Sequence, residues 1–249
     1  MALSAVRGAL GFLTRLPVGH RERDWDAFRA SPAAFPLAAY PIGLVLTVPF
    51  LLGLDADLTG FGYLLGIYAV TGVAHADAVA DLGDAAAVHG DATPERRRDV
   101  LKDSAVGVGA VLALALVLLG TWVAAARLAT LPLRAAALAL AVEVGAKLAM
   151  ATVACLGDAT HDGLGAAVSD SLSARSLVLP LLVALPAALV TYPNPAAATA
   201  LGAALLAALG VLAWSRRRLG GINGDVIGAS NELARLAALL VGVIAWTHW

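Results

Sequence analysis

A single cysteine, Cys155, stands in 249 residues. One thiol excludes an intramolecular disulfide and any multi-cysteine metal site. Its apolar neighbours mark it as a small helix residue. Charge is scarce as well: Asp, Glu, Lys and Arg make up 14% of the chain, against about a quarter in soluble domains. Lysine occurs only at positions 102 and 147, so nearly all basic residues are arginine. No Walker-A pattern, Gly-x-Gly-x-x-Gly fingerprint or nucleophile elbow occurs, so any nucleotide is held by something other than a soluble nucleotide-binding fold. No nucleic-acid partner is expected. Nor does the first stretch, Met1 to Leu13, carry a convincing signal cleavage site.

What fills the chain is hydrocarbon: 60% of residues are hydrophobic. That composition predicts an all-α, polytopic bundle in the lipid bilayer, as a single domain over residues 1–249. Met1 to Leu16 reads as a short interfacial helix, ended by Pro17 and followed by a polar, Arg-rich loop from His20 to Arg29. Spans of near the ~20 residues that cross a bilayer are expected at Ala33 to Leu52, Gly60 to Val79, Val106 to Ala126, Ala135 to Leu156, Leu177 to Tyr192, Ala196 to Trp214 and Ala229 to Trp246. This gives about seven crossings. Asp91 to Asp103 is a charged loop or helix, and Gly157 to Ser176 is a polar connection. With the N-terminus inside, the basic loops at Arg96 to Lys102, Arg175 and Arg216 to Arg218 are cytoplasmic, while the Asp55 and Asn194 loops carry no Lys or Arg. The turn from Arg127 to Arg134 is the exception. The polar loops therefore share the cytoplasmic side of a cell-membrane protein.

The most informative stretch runs from His75 to Asp84. Asp77, Asp81 and Asp84 are spaced by four and three, which stacks them on one helical face. Like charges so close repel unless a cation sits among them. Oxygen-only ligands suit a hard cation, above all Mg²⁺ with substrate phosphates. An ion pathway and a solvated helix end are the competing readings. His75 lies nearly opposite the acids on the wheel, as a packing residue or a donor behind the site.

Other polar stretches are weaker. Ser104 is a natural N-cap for the third span, preceded by Asp99, Lys102 and Asp103, where a capped helix start and a catalytic role are both compatible with the spacing. Arg96 to Arg98 reads as a topology determinant or a phosphate contact. His161 between Asp158 and Asp162 is too little for a transition-metal site, and His20, His89 and His248 lack partner spacing. From Gly220 to Glu232 the glycines expose backbone N–H groups that can cradle phosphate. Asp225 and Glu232 share a face if the helix begins near Gly224.

These residues resemble the cobalamin synthases, the adenosylcobinamide-GDP ribazoletransferases, in order and over nearly the whole chain. Phe12 to Val18 is similar to that family's opening. Its His-x-Asp-Gly-x-Ala-Asp-x-x-Asp-Gly stretch is met by His75, Asp77, Ala80, Asp81 and Asp84, with Ala78 and Ala85 in place of both glycines. Lys102, Asp103, Ser104 and Gly107 match a Lys-Asp-Ser and a later Gly. Gly163-Leu164-Gly165 matches a late Gly-Leu-Gly. Gly220, Gly221, Gly224, Asp225, Gly228, Ala229 and Glu232 match the closing motif, with Asn223 for Thr.

The resemblance implies transfer of the adenosylcobinamide phosphoryl group from adenosylcobinamide-GDP to α-ribazole, or its 5′-phosphate, with release of GMP. It implies Mg²⁺ held by Asp77, Asp81 and Asp84, with Asp225 and Glu232 either completing the metal site or binding the ribazole. Asp84 and Asp81 are expected to act in catalysis, with Asp84 as the base. Lys102 is expected to offset diphosphate charge. His75, Asp103, Ser104, Gly221, Asn223 and Gly224 are expected to bind substrate. A CDP-alcohol phosphotransferase and an ion-coupled transporter using the acids remain as alternatives, and an oligomer is compatible with the sequence.

Overall fold

A computed structural model of the chain describes residues 2–19, 21–90, 92–103 and 105–249. Its helices, in chain order, are α1 (Ala2–Leu13), α2 (Glu22–Arg29), α3 (Ala34–Thr47), α4 (Ala56–Thr71), α5 (Ala74–Ala87), α6 (Pro94–Leu101), α7 (Val108–Ala129), α8 (Ala137–Leu156), α9 (Leu164–Ser169), α10 (Val178–Ala184), α11 (Ala196–Arg218) and α12 (Gly224–His248). There is no β-strand among the described residues, only an isolated parallel bridge between Ala159 and Ile222. The all-α membrane bundle read from composition is what the chain forms.

The centre is α8. Its alanines, valines and single glycine leave a slim cylinder, and its most apolar stretch is wholly buried. Helices α3, α11 and α12 pack around it. Gly43 of α3 lies so close to the α8 backbone at Leu140 that an added Cβ would come within 2.9 Å. Without a hydrophobic drive between helices in lipid, such close packing of small residues is what holds them. Around this core α4 pairs with α7, and α5 rests on α7 and α12. Leu44, Leu112, Leu116, Leu119, Leu206 and Ile244 face outward, as a lipid-facing surface requires.

Five helical stretches are long and apolar enough to cross a membrane, and α4 with α5 makes a sixth if the bent pair counts as one. Two expected spans differ in form. Leu177 to Tyr192 is broken into a 3₁₀ turn at Ala174–Leu177, α10 and a second 3₁₀ turn at Leu185–Leu189. Pro180 and Pro186 each remove a backbone donor there. The span expected from Gly60 to Val79 does not run straight. It ends at Gly72, where φ is +71° and ψ is −166°, and α5 leaves at 100° to α4. That backbone conformation is close to glycine-only.

The loops hold more structure than their polarity implies. The stretch read as a loop from His20 to Arg29 contains α2, whose Trp25 and Phe28 pack against Phe12 of α1, with ring centroids 5.3 and 5.5 Å apart. Buried Asp24 ties α2 to Arg7 of α1 at 3.4 Å. The charged segment before the third span is helix α6, begun by Pro94 and by Thr93, whose hydroxyl accepts from Arg96 N–H at 3.3 Å.

Candidate active site

The bend at Gly72 decides where the acids go. Turned by 100°, α5 presents two faces. Val79, Leu82 and Ala86 line an apolar crevice of about 530 Å³ closed by Ala113, Trp214 and Leu233. The three carboxylates occupy the opposite face at helical spacing, with Asp77 exposed and Asp81 and Asp84 half-buried.

Helix α12 starts at Gly224, as the motif reading expects, and its first turn faces α5. The helices approach at Gly228, where an added Cβ would stand 2.9 Å from the Ala78 methyl. This contact, between Asp77 and Asp81 on one helix and one turn beyond Asp225 on the other, gathers the carboxylates. Asp81 lies within electrostatic reach of Asp225, Asp77 and Asp84, and Asp225 within reach of Asp77 and His161. None of Asp77, Asp81 and Asp225 has a cationic side chain within ion-pair distance among the described residues.

Asn223 caps α12, its Oδ1 accepting from Val226 N–H at 2.9 Å and its Nδ2 donating to Asp225 Oδ2 at 2.8 Å. Gly221 is buried, and its role is close approach: an added Cβ would meet the Asp158 carbonyl at 2.4 Å. There Ile222 N–H donates to Asp158 O at 2.8 Å, and Thr160 N–H to Ile222 O at 2.9 Å. The glycine turn read as a phosphate cradle thus joins the loop of His161 to the start of α12. Arg216 donates to the Leu156 carbonyl and so ties that loop to α11.

Asp84 has a different environment from its two neighbours. Its Oδ2 accepts from Gly107 N–H at 2.7 Å and its Oδ1 from Ala110 N–H at 2.9 Å. It caps α7 from another helix, because the N-cap position itself is Gly107, without a side chain. The cap expected from Ser104 is therefore supplied elsewhere, and Ser104 itself lies outside the described residues. Lys102 and Asp103 are exposed at the end of α6, and Asp103 Oδ1 accepts from Ala105 N–H at 3.0 Å. The arginine run divides its work. Buried Arg97 donates to Ala85 O at 2.5 Å and Val88 O at 3.0 Å, closing the end of α5. Arg98 reaches Leu219 O at 2.5 Å, and Arg96 is exposed.

Beneath the acids lies a buried ionic network that sequence reading missed. Lys147 Nζ donates to Glu143 Oε1 at 2.6 Å and to Asn231 Oδ1 at 2.8 Å. Arg235 joins Glu143 at 3.0 Å and Glu232 at 2.5 Å. Asn231 Nδ2 meets Glu232 Oε1 at 3.0 Å and His75 Nδ1 at 3.2 Å. Glu232 is thus committed to Arg235 within this cluster, and His75 packs on α12. The pair Glu143 and Lys147 was visible at i and i+4. Arg235 and Asn231, four apart on α12, were the signal that could have completed it.

Among the described residues, no three His, Cys, Asp or Glu side chains converge tightly enough to hold a metal ion by themselves. The donor set still suits one kind of cation. Mg²⁺ is usually bound by one or two carboxylates, keeping several waters and taking substrate phosphates. Asp77, Asp81 and Asp225, all acidic and free of cationic partners, fit that requirement. Asp225 accepts only from the neutral Asn223 amide, whereas Asp84 has both oxygens on α7 amides and Glu232 is paired with Arg235.

Long apolar helices, with carboxylates on the facing α5 and α12, define a multi-pass membrane protein. The chain belongs to the cobalamin-5-phosphate synthase family, whose profile matches residues 5–243. It is 50% identical to an adenosylcobinamide-GDP ribazoletransferase of Halorubrum lacusprofundi, over 100% of both chains. It is 47% identical to one of Haloquadratum walsbyi, over 99% of both, and 32% identical to one of Archaeoglobus fulgidus, over 98% of both. No solved structure matches it. The CDP-alcohol and transporter alternatives gain no support from these matches.

Proposed function

We propose that this chain joins adenosylcobinamide phosphate to α-ribazole, or to its 5′-phosphate, using adenosylcobinamide-GDP as donor. The ribazole 3′-oxygen forms a bond to the phosphorus next to cobinamide, the bond from that phosphorus to GMP breaks, and the hydroxyl proton passes to a carboxylate. The observation that carries this reading is the set of cation-free carboxylates Asp77, Asp81 and Asp225 on two facing helices. Their charges would repel a diphosphate unless a cation came with it.

Mg²⁺ held by Asp81 and Asp225 would neutralise charge on the diphosphate. Asp77, exposed and unpaired, is placed to take the hydroxyl proton. Asp84, expected from sequence as the base, has both oxygens engaged by α7 and holds that helix in register instead. The first-turn amides of α12 at Gly224 and Asp225 would offer donors to an anion brought to this helix start. Lys102 and Asp103 are exposed just beyond α6. The basic stretches Arg96–Arg98 of α6 and Arg216–Arg218 of α11 meet through the Arg98 to Leu219 contact. Positive charge gathers on cytoplasmic loops, which supports a site opening to the cytoplasm from the cell membrane.

The test is direct. Purified protein is incubated with adenosylcobinamide-GDP, α-ribazole and Mg²⁺, and GMP and cobamide are measured. Equal amounts of both are expected, and none from Asp81→Asn. Intact wild-type protein that releases no GMP overturns the reading.

A further inference from the structure

The buried network touches the acid helix at one point. Lys147 and Arg235 balance Glu143 and Glu232, and these four side chains are at most 2% exposed. Apolar side chains of the same volume usually fill such a space at no loss of stability, so burial alone does not account for the cluster. It reaches the acid helix through the Asn231 amide, which contacts His75 in the first turn of α5.

The hydrogen-bond directions along that route are forced. An ammonium only donates, so the Asn231 oxygen faces Lys147, at 2.8 Å. The Asn231 NH₂ must then serve both remaining neighbours, Glu232 Oε1 at 3.0 Å and His75 Nδ1 at 3.2 Å. His75 Nδ1 therefore accepts, and the ring proton sits on Nε2. Glu232 Oε1, 3.9 Å from Nδ1, is too far to hydrogen-bond it. His75 lies on the side of α5 away from Asp77, Asp81 and Asp84, so it acts on them through the helix.

We propose that Lys147 and Asn231 are positioning residues of the active site: through His75 they fix the first turn of α5, and with it Asp77 and Asp81, against the start of α12 that carries Asp225. His75 lies just past the 100° bend between α4 and α5, where α5 has no continuous helix behind it to set its direction. Groups behind metal ligands typically govern about 10–100-fold in metal affinity or activity.

The experiment compares wild type, Asn231→Asp, Asn231→Leu, His75→Asn and His75→Leu in nanodiscs. Histidine ¹⁵N spectra report the ring tautomer, Mn²⁺ titration by electron paramagnetic resonance reports metal affinity, and GMP release gives kcat and KM separately. Wild-type His75 is expected with its proton on Nε2, and Asn231→Asp is expected to move it to Nδ1. Asn231→Leu and His75→Leu are expected to lose about 10–100-fold in kcat and in Mn²⁺ affinity, with KM for adenosylcobinamide-GDP little changed. His75→Asn places an acceptor near the Nδ1 position and should recover most of that loss. A structural role alone would lower folded yield and leave kcat and Mn²⁺ affinity of the folded fraction intact. A wild-type proton on Nδ1, or leucine variants that keep wild-type kcat and Mn²⁺ affinity, overturns the proposal. It rests on the metal assignment above, and wild-type protein that binds no Mn²⁺ sinks that assignment while tautomer and kcat still decide this one.

Discussion

Asp84 and Gly107 are joined across two helices: the Gly107 N–H donates to Asp84 Oδ2 at 2.7 Å, and a Cβ on Gly107 would lie 2.4 Å from Oδ1 of the same carboxylate. Capping an N-terminus from another element costs the capped helix nothing in its own sequence, but ties its start to a remote residue. Asp84→Ala is expected to remove about 1–2 kcal/mol of stability, the usual worth of a lost cap. Asp84→Asn still presents one acceptor and should keep more of it. Thermal unfolding in detergent separates the two, and turnover of Asp84→Asn within about tenfold of wild type, a change of about 1.4 kcal/mol, is the expected activity.

Asp77, Asp81 and Asp225 should behave differently from Asp84. Each Asp→Asn removes a charge that has no cationic partner among the described residues, so unfolding temperatures are expected to hold or rise. GMP release should fall by a factor of at least about 100 in Asp81→Asn and Asp225→Asn, within the range that lost electrostatic stabilisation of a reacting centre produces. Chelation of divalent cations should stop wild-type turnover, and added Mg²⁺ should restore it. Full turnover in chelator removes the metal from the reaction.

Gly72→Ala tests the bend. The φ of +71° with ψ of −166° is a conformation that costs a non-glycine residue about 1–3 kcal/mol. The substitution should lower stability by that amount. It should also lower kcat, because relief of the strain straightens α4 toward α5 and moves the acids. Unchanged stability would mean that the backbone relaxes at no cost.

Arg97 and Arg96, adjacent in sequence, should separate cleanly. Arg97→Ala leaves the carbonyls of Ala85 and Val88 without their donor, at about 1–3 kcal/mol for a buried acceptor. Arg96→Ala changes an exposed side chain and should leave the unfolding temperature in place. Melting curves of both variants, measured side by side, give the comparison.

Much of this site could be read from the residue order. Asp77, Asp81 and Asp84 do lie on one helix face, and α12 does begin at Gly224 with Asn223 as its cap. What stayed hidden depends on distant partners. Glycines at 60, 62, 66 and 72 look alike in an apolar run, and only the folded backbone, with its positive φ at Gly72, distinguishes the one that turns the chain. Asp84 looked equivalent to its neighbours because the amides it caps are 23 and 26 residues away. Arg235 looked like an ordinary charge because Glu143, 92 residues earlier, is needed to explain it. Periodicity reports faces, and does not report which face meets which.

The crossing of α5 and α12 leaves room for a single methyl group. It is carried by Ala78, and Gly228 opposite has none. A chain with alanine on both sides would prise the carboxylates of the two helices apart, so the volumes at residues 78 and 228 are limited jointly rather than one by one.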